Sequence, residues 1–302
     1  MSSAVHRYLS PLRYPGGKAK VADFVKLVIL ENDLLGARYV EPYAGGATVA
    51  LGLLFEDYVS EIVINDLNEG VHAFWASVLY ETDALCELVM KRPLTVKEWR
   101  AQREKAFSPT ATTLERGFAT FYLNRTNRSG IVGGGVIGGL DQTGRWKIDA
   151  RFPRDELVRR IHKVGRFRSR ISATRIDTLA LLQAEVDASS TLYFLDPPYY
   201  VKGERLYDNF YEHDDHVQIS QAVRKISSPW IVSYDAAPAI LPMYDACESV
   251  RYCLAYSASR RHDGAEVMFF SPGLVVPNHE PSAVSTRALQ DARMRVMGLA
   301  VD

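Results

Sequence analysis

Few folds accept a short apolar, β-favouring run that passes through a double-glycine turn directly into a run of helix formers, and residues 37–54 have this form. Arg38-Tyr39-Val40 favours a strand, Gly45-Gly46 punctuates it, and Ala47 to Leu54 is rich in helix formers. A second strand is predicted at Glu61 to Ile64, ending in Asn65-Asp66, and helical patterning resumes from Asn68 to about Leu79. Strand–helix–strand–helix order implies a parallel, doubly wound sheet. Strand-like segments return at Thr191 to Leu195 and at Trp230 to Ser233. Two late runs, Tyr252 to Tyr256 and Glu266 to Phe270, flank the turn-like Arg260-Arg261-His262-Asp263-Gly264 and read as a hairpin closing the sheet edge. Between about Tyr80 and Gly165 the rhythm breaks. That stretch is helical and polar, with a glycine-dense loop at Gly130 to Gly139, and reads as an inserted module.

A chain of 302 residues can hold one large domain carrying such an insertion. No apolar run reaches the ~18–20 residues that a membrane span needs, and Met1 to Pro11 lacks the apolar core of a secretory signal. The three cysteines, Cys86, Cys247 and Cys253, have no metal-type spacing; their odd number argues against a disulfide framework and for a reducing compartment. The formal net charge is zero, but the charge is unevenly spread. From Arg151 to Arg175 there are eight arginines and Lys163 against only Asp155 and Glu156. The cluster reads either as the solvated face of a helix or as a surface that contacts phosphates.

Two motifs carry chemistry. The turn Glu41-Pro42-Tyr43-Ala44-Gly45-Gly46-Ala47 between strand and helix suits close backbone approach to a nucleotide cofactor, and Asp66, 21 residues after Gly45, is placed to hold ribose hydroxyls. Alone, the pair is equally consistent with a structural glycine turn and a helix-capping aspartate. Asp196-Pro197-Pro198-Tyr199 is far more specific. It follows an apolar strand, so it belongs at the carboxyl end of the sheet, where open α/β folds bind ligands. The prolines stiffen the loop. An acidic oxygen and a proline carbonyl can then accept hydrogen bonds from one –NH₂ group, beside an aromatic ring that can stack on a planar base. A third cluster, His213-Asp214-Asp215-His216, lies just before the helical pattern Val217 to Ile226 and favours helix capping over metal ligation.

The order of these motifs resembles the Dam-like N6-adenine DNA methyltransferases of the alpha group. Arg13-Tyr14-Pro15-Gly16-Gly17-Lys18 resembles that family's N-terminal cofactor motif, Glu41 to Ala47 its glycine motif, with Ala47 where the family usually has Gly, and Asn65-Asp66 its ribose-binding acid. Phe121 to Arg125 with Ser129-Gly130 resembles part of its target-recognition insert, and Asp196 to Tyr199 its catalytic loop. The resemblance runs from about residue 11 to 271. It implies a seven-stranded, mostly parallel, Rossmann-like sheet that binds S-adenosylmethionine. The implied divisions are a methyltransferase core at 1–67 and 170–276, a target-recognition insert at 68–169 and a tail at 277–302.

The resemblance implies that Tyr14 and Lys18 line the methionine end of the cofactor, with the Lys18 ammonium near its carboxylate. Glu41, Tyr43 and Gly45 belong to the cofactor turn; Asp66 takes the ribose, and Asp177 stands near the cofactor's adenine. Asn209-Phe210-Tyr211 forms a loop over the active site. Asp196, close to the cofactor as well, acts with the Pro197 carbonyl on the amine of a flipped-out adenine that stacks on Tyr199, and no metal is required. Double-stranded DNA is the implied partner of a monomeric, cytoplasmic enzyme encoded by a bacterium, phage or mobile element, with or without a cognate restriction endonuclease. Within the insert, Asn124, Arg125 and Arg128 suit base edges, and Arg166 and Arg168 suit phosphates. The competing readings are an exocyclic-amine methyltransferase of cytosine or RNA, and a DNA-binding protein of the same fold without turnover.

Overall fold

The computed structural model describes residues 9–13, 18–184, 190–200, 211–254 and 264–298. Seven strands form one sheet, β1 Ala37–Glu41, β2 Val59–Asn65, β3 Ile171–Thr174, β4 Thr191–Leu195, β5 Trp230–Asp235, β6 Glu248–Leu254 and β7 Gly264–Phe270, in the order β3-β2-β1-β4-β5-β7-β6. β2, β1, β4 and β5 run parallel, whereas β7 is antiparallel to both β5 and β6. The expected mostly parallel sheet is present. The hairpin is also present, with β7 inside the sheet and β6 at its edge. β6 begins at Glu248, four residues before the predicted start, and the turn 255–263 lies outside the described residues.

The described residues fall into two compact units, 18–64 with 176–298 and 9–13 with 65–175. In the first, α1 Ala22–Glu31 and α2 Thr48–Phe55 flank β1, α8 Thr178–Ala184 precedes β4, and α9 His213–Val223 precedes β5; α10 Thr286–Val296 lies in the predicted tail. Every residue of β4 is buried, the expected condition of a strand with parallel neighbours on both sides and covered faces. Its core joins Val40, Val63, Tyr193, Leu195, Val232 and Phe269. The chain order reverses between β1 and β4, so their carboxyl ends open a crevice of the kind that binds ligands in α/β sheets. After β1, Gly45 has φ +46° and Ala47, the residue before α2, has φ +48°. The turn is thus left-handed at a residue with a side chain, and only a small one is accommodated there at modest cost.

In the second unit, α3 Glu69–Tyr80, α4 Thr82–Lys91, α5 Val96–Ala106, α6 Thr113–Thr126 and α7 Arg154–Arg166 form a helical body. Their starts follow capping chemistry: Asn68 accepts from the Val71 amide at 3.1 Å, and Thr112 with Glu115 forms a reciprocal capping box. Phe74 and Phe121 stack with ring centroids 5.3 Å apart where α3 meets α6. That approach depends on Gly117, where an added Cβ would stand 2.5 Å from the Ala73 carbonyl oxygen. Gly117→Ala is therefore expected to destabilise by about 1–2 kcal/mol, because overpacking against backbone outweighs the ~1 kcal/mol gain in helix propensity. Denaturant unfolding of the purified variant measures this, and a more stable variant would refute the close-packing argument.

Candidate active site

β4 delivers its loop to the crevice. Pro197, Pro198 and Tyr199 are buried, while the Asp196 side chain remains 20% exposed. Facing it is Lys18, at the start of the helical turn Lys18–Lys20, with its ammonium 3.0 Å from Asp196 Oδ1. The same ammonium donates to Ser233 Oγ on β5 at 2.8 Å and to Glu266 Oε2 on β7 at 2.8 Å. Glu266 is 1% exposed. Its Oε1 accepts from the Tyr199 hydroxyl at 2.6 Å, and its Oε2 also accepts from the Tyr252 hydroxyl at 2.8 Å. Lys18 further lies 5.4 Å from the centre of the Tyr199 ring.

The arrangement sets the protonation states. Burial alone would push the Lys18 pKa down, but Asp196, Tyr252 and Glu266 together hold it well above the ordinary lysine value. Burial raises Asp196 to about 6; Lys18 opposes the shift, and the charges of Glu266 and Asp235 add to it. Glu41, at the end of β1, is 5% exposed and accepts from the Tyr39 hydroxyl at 3.0 Å and the Ala50 amide at 3.1 Å. Burial lifts it to about 8 despite these bonds. Asp196 Oδ1 is buried and takes the Lys18 ammonium at 3.0 Å. A carboxylate offers about four lone-pair sites, so this one retains capacity for a ligand donor.

The expected cofactor residues have the following partners in the fold. Lys18 turns toward Asp196 and Glu266, with its ammonium against both carboxylates. One Glu41 oxygen is engaged inside the protein, tying β1 to α2. The Tyr43 hydroxyl lies 3.0 Å from that of Tyr211. Asp177 is exposed and caps α8, accepting from the Leu179 and Ala180 amides at 3.0 and 3.2 Å. Asp66, in the second unit, accepts from the Asn68 amide at 2.9 Å. Tyr14, Asn209 and Phe210 lie outside the described residues. His213 and His216 are part of α9, which begins earlier than predicted because Glu212 and Asp215 form a capping box; His216 Nδ1 is 3.1 Å from the Tyr234 hydroxyl.

In the second unit Asn124 and Arg125 are buried, which corrects their expected place at base edges. Asn124 accepts from the Arg13 amide at 2.7 Å and donates to the Arg13 and Gly130 carbonyls at 2.6 and 2.8 Å. Arg125 donates to the Pro11 carbonyl. Both hold residues 9–13 onto α6, since buried amide and guanidinium groups must find internal acceptors. Arg128, Arg166 and Arg168 are exposed. The arginine cluster divides: Arg154 binds the carbonyls of Met90 and Arg92 at the end of α4, and Arg160 pairs with Glu156. The residue that sequence reasoning missed is Glu266. Its one signal was a carboxylate inside an otherwise apolar strand, Val267 to Phe270.

Residues 14–260 match the family described as D12 class N6 adenine-specific DNA methyltransferase. The chain belongs to that family. It is accordingly a methyltransferase acting on adenine in DNA. No curated protein matches the sequence. Among solved structures, the rRNA methyltransferase aviRa from Streptomyces viridochromogenes is similar at 12% identity and a TM-score of 0.34, over 85% of this chain and 93% of that one. No helix among the described residues is long and apolar enough to cross a membrane.

Glu41 gives a signed pH dependence. Its pKa in the fold, about 8, lies above the ordinary 4.5, so the folded state holds the proton more tightly than the unfolded chain. The stability it contributes is complete below about 4.5 and is lost as pH rises to about 8. Glu41→Gln, which mimics the protonated acid, is expected to gain thermal stability over wild type with rising pH across that window. A Tm difference that stays constant from pH 5 to 8.5 would contradict the assignment.

Proposed function

We propose that the chain transfers a methyl group from S-adenosylmethionine to the exocyclic N6 amine of an adenine flipped out of duplex DNA, with Asp196 as the amine acceptor. The observation that carries the reading is the Asp196 carboxylate, set against Lys18 at the carboxyl end of β4 with lone pairs to spare for an amine. The residues present fit the cofactor. Lys18 stands against two carboxylates, so with all three ionised the group carries one net negative charge, suited to a cationic ligand. The turn after β1, left-handed at Gly45 and Ala47, and Asp196 would hold it, with Tyr43, Asp66 and Asp177 as further candidates. When bound, S-adenosylmethionine supplies a methyl group on positively charged sulfur.

The chain's own residues do the rest. Adenine's amine is a poor nucleophile because its lone pair is delocalised into the ring. Hydrogen bonds from its two N–H groups to Asp196 and to the Pro197 carbonyl favour a pyramidal nitrogen and return the lone pair. The ionised carboxylate also stabilises the positive charge that develops on the amine. Tyr199, tethered by its hydroxyl, supplies the aromatic wall beside Asp196. Flipping brings the base within reach of these groups. Asp196→Ala is expected to abolish transfer of radiolabelled methyl to DNA while leaving duplex binding intact, since several kcal/mol of transition-state stabilisation are lost. Wild-type turnover in that variant would sink the mechanism.

Exposed basic groups of the second unit are assigned to the duplex. Arg166 and Arg168 contact phosphates, and Arg128 is the remaining candidate for a base edge. Neutralising Arg166 and Arg168 together is expected to weaken binding to all sequences alike and to lower the slope of log K against log salt by roughly one unit per lost contact. Binding measured across a salt series decides it; an unchanged slope returns these arginines to the role of a solvated face.

A further inference from the structure

Glu266 is buried where three elements of the site meet. By strand register it lies between Asp235 of β5 and Tyr252 of β6. One oxygen takes the Tyr199 hydroxyl; the other takes the Tyr252 hydroxyl and the Lys18 ammonium. Ser233 completes the frame, 3.0 Å from the Tyr252 hydroxyl and 2.8 Å from Lys18. A buried carboxylate is costly unless its charge is paired and its lone pairs are occupied. Here both oxygens are occupied, and their partners are the lysine that faces Asp196 and the tyrosine of the catalytic loop.

We propose that Glu266 is the positioning residue of the methyl-transfer site, sharing the Lys18 ammonium so that Asp196 stays open as the acceptor for the incoming amine. This rests on the reading of Asp196 given above. Lysine is a flexible point charge. Held by one carboxylate alone, it would settle wholly on Asp196 and compete with the amine for the same oxygens. Held between two, it partly neutralises each. Glu266 also supplies the second negative charge that leaves the group net anionic toward a cationic donor. Through Tyr199 the same carboxylate fixes the end of the Asp196 loop.

The test is the pH profile of methyl transfer, since kcat/KM reports the titrating groups of the free enzyme. The groups bearing on Asp196 are Lys18, Glu266 and Asp235, with Glu41 behind it. In Glu266→Gln a like charge is lost and Lys18 moves to Asp196. The acid limb is therefore expected to shift down by about 0.5–1 pH unit, with kcat about ten- to a hundredfold lower from the misplaced lysine. Tyr252→Phe changes no charge but removes a hydrogen bond from Glu266, so Glu266 draws Lys18 closer and the limb is expected to shift up. Opposite shifts support the proposal, and a limb unmoved in Glu266→Gln overturns it. If Glu266→Gln does not fold, the direction in Tyr252→Phe decides alone, and no upward shift overturns the proposal. Asp196→Ala is run beside them. If that variant is active, the Asp196 reading itself fails; if it is dead while the limbs stay fixed, only the role of Glu266 fails.

Discussion

One ammonium set against two carboxylates is the interaction on which the site depends. Lys18, Asp196 and Glu266 come from the N-terminal segment, the loop after β4 and the antiparallel β7, and their charges lie within 3.0 Å of one another through the lysine. None of the three would be tolerated alone at this degree of burial, because an unpaired ion in a poorly polarisable surrounding costs several kcal/mol. Their mutual pairing binds three parts of the chain into one arrangement. With all three ionised the group still keeps one unbalanced negative charge.

Sheet topology explains why that charge can be exposed to a ligand at all. β1 and β4 are adjacent and parallel, but the helices that follow them belong to opposite halves of the chain order, leaving the crevice at their carboxyl ends unfilled. Glu41 is the last residue of β1 and Asp196 the first after β4, and burial raises both, to about 8 and about 6. The difference has a local cause. Glu41 is held by a phenol and an amide, whereas Asp196 faces Lys18. Near neutral pH the first is largely an uncharged structural acid and the second is the more readily ionised.

The second unit treats its polar residues differently. Asn124, Arg125 and Asn127 are buried and consumed internally; Asn127 accepts from the Trp99 indole at 2.6 Å and donates to the Ile131 and Val132 carbonyls at 2.9 and 2.8 Å. Residues 9–13 have no regular structure of their own, so side chains of α6 satisfy their backbone groups. Polar residues that resemble base readers in a linear motif are here the fasteners of an irregular segment.

By itself the sequence determined the parallel core, because period, length and glycine punctuation are local properties: β1, β2, β4 and β5 and the turn after β1 could all be read along the chain. It also made the Asp196 to Tyr199 loop legible, since two acceptors, an aromatic ring and proline rigidity fall in four adjacent residues. β3 was hidden, being only four residues long inside the arginine-rich stretch. Burial and partnership were hidden too. Whether Arg125 faces solvent or the Pro11 carbonyl depends on a segment 114 residues away, and Lys18 meets Glu266 across 248. Only the tertiary structure decided that Lys18 serves two carboxylates, that Asp177 caps a helix and that Glu266 joins Lys18, Tyr199 and Tyr252. The physical reason is common to all three: a polar group's role is set by whichever partner removes the cost of its burial, and that partner is chosen by the fold rather than by its neighbours in sequence.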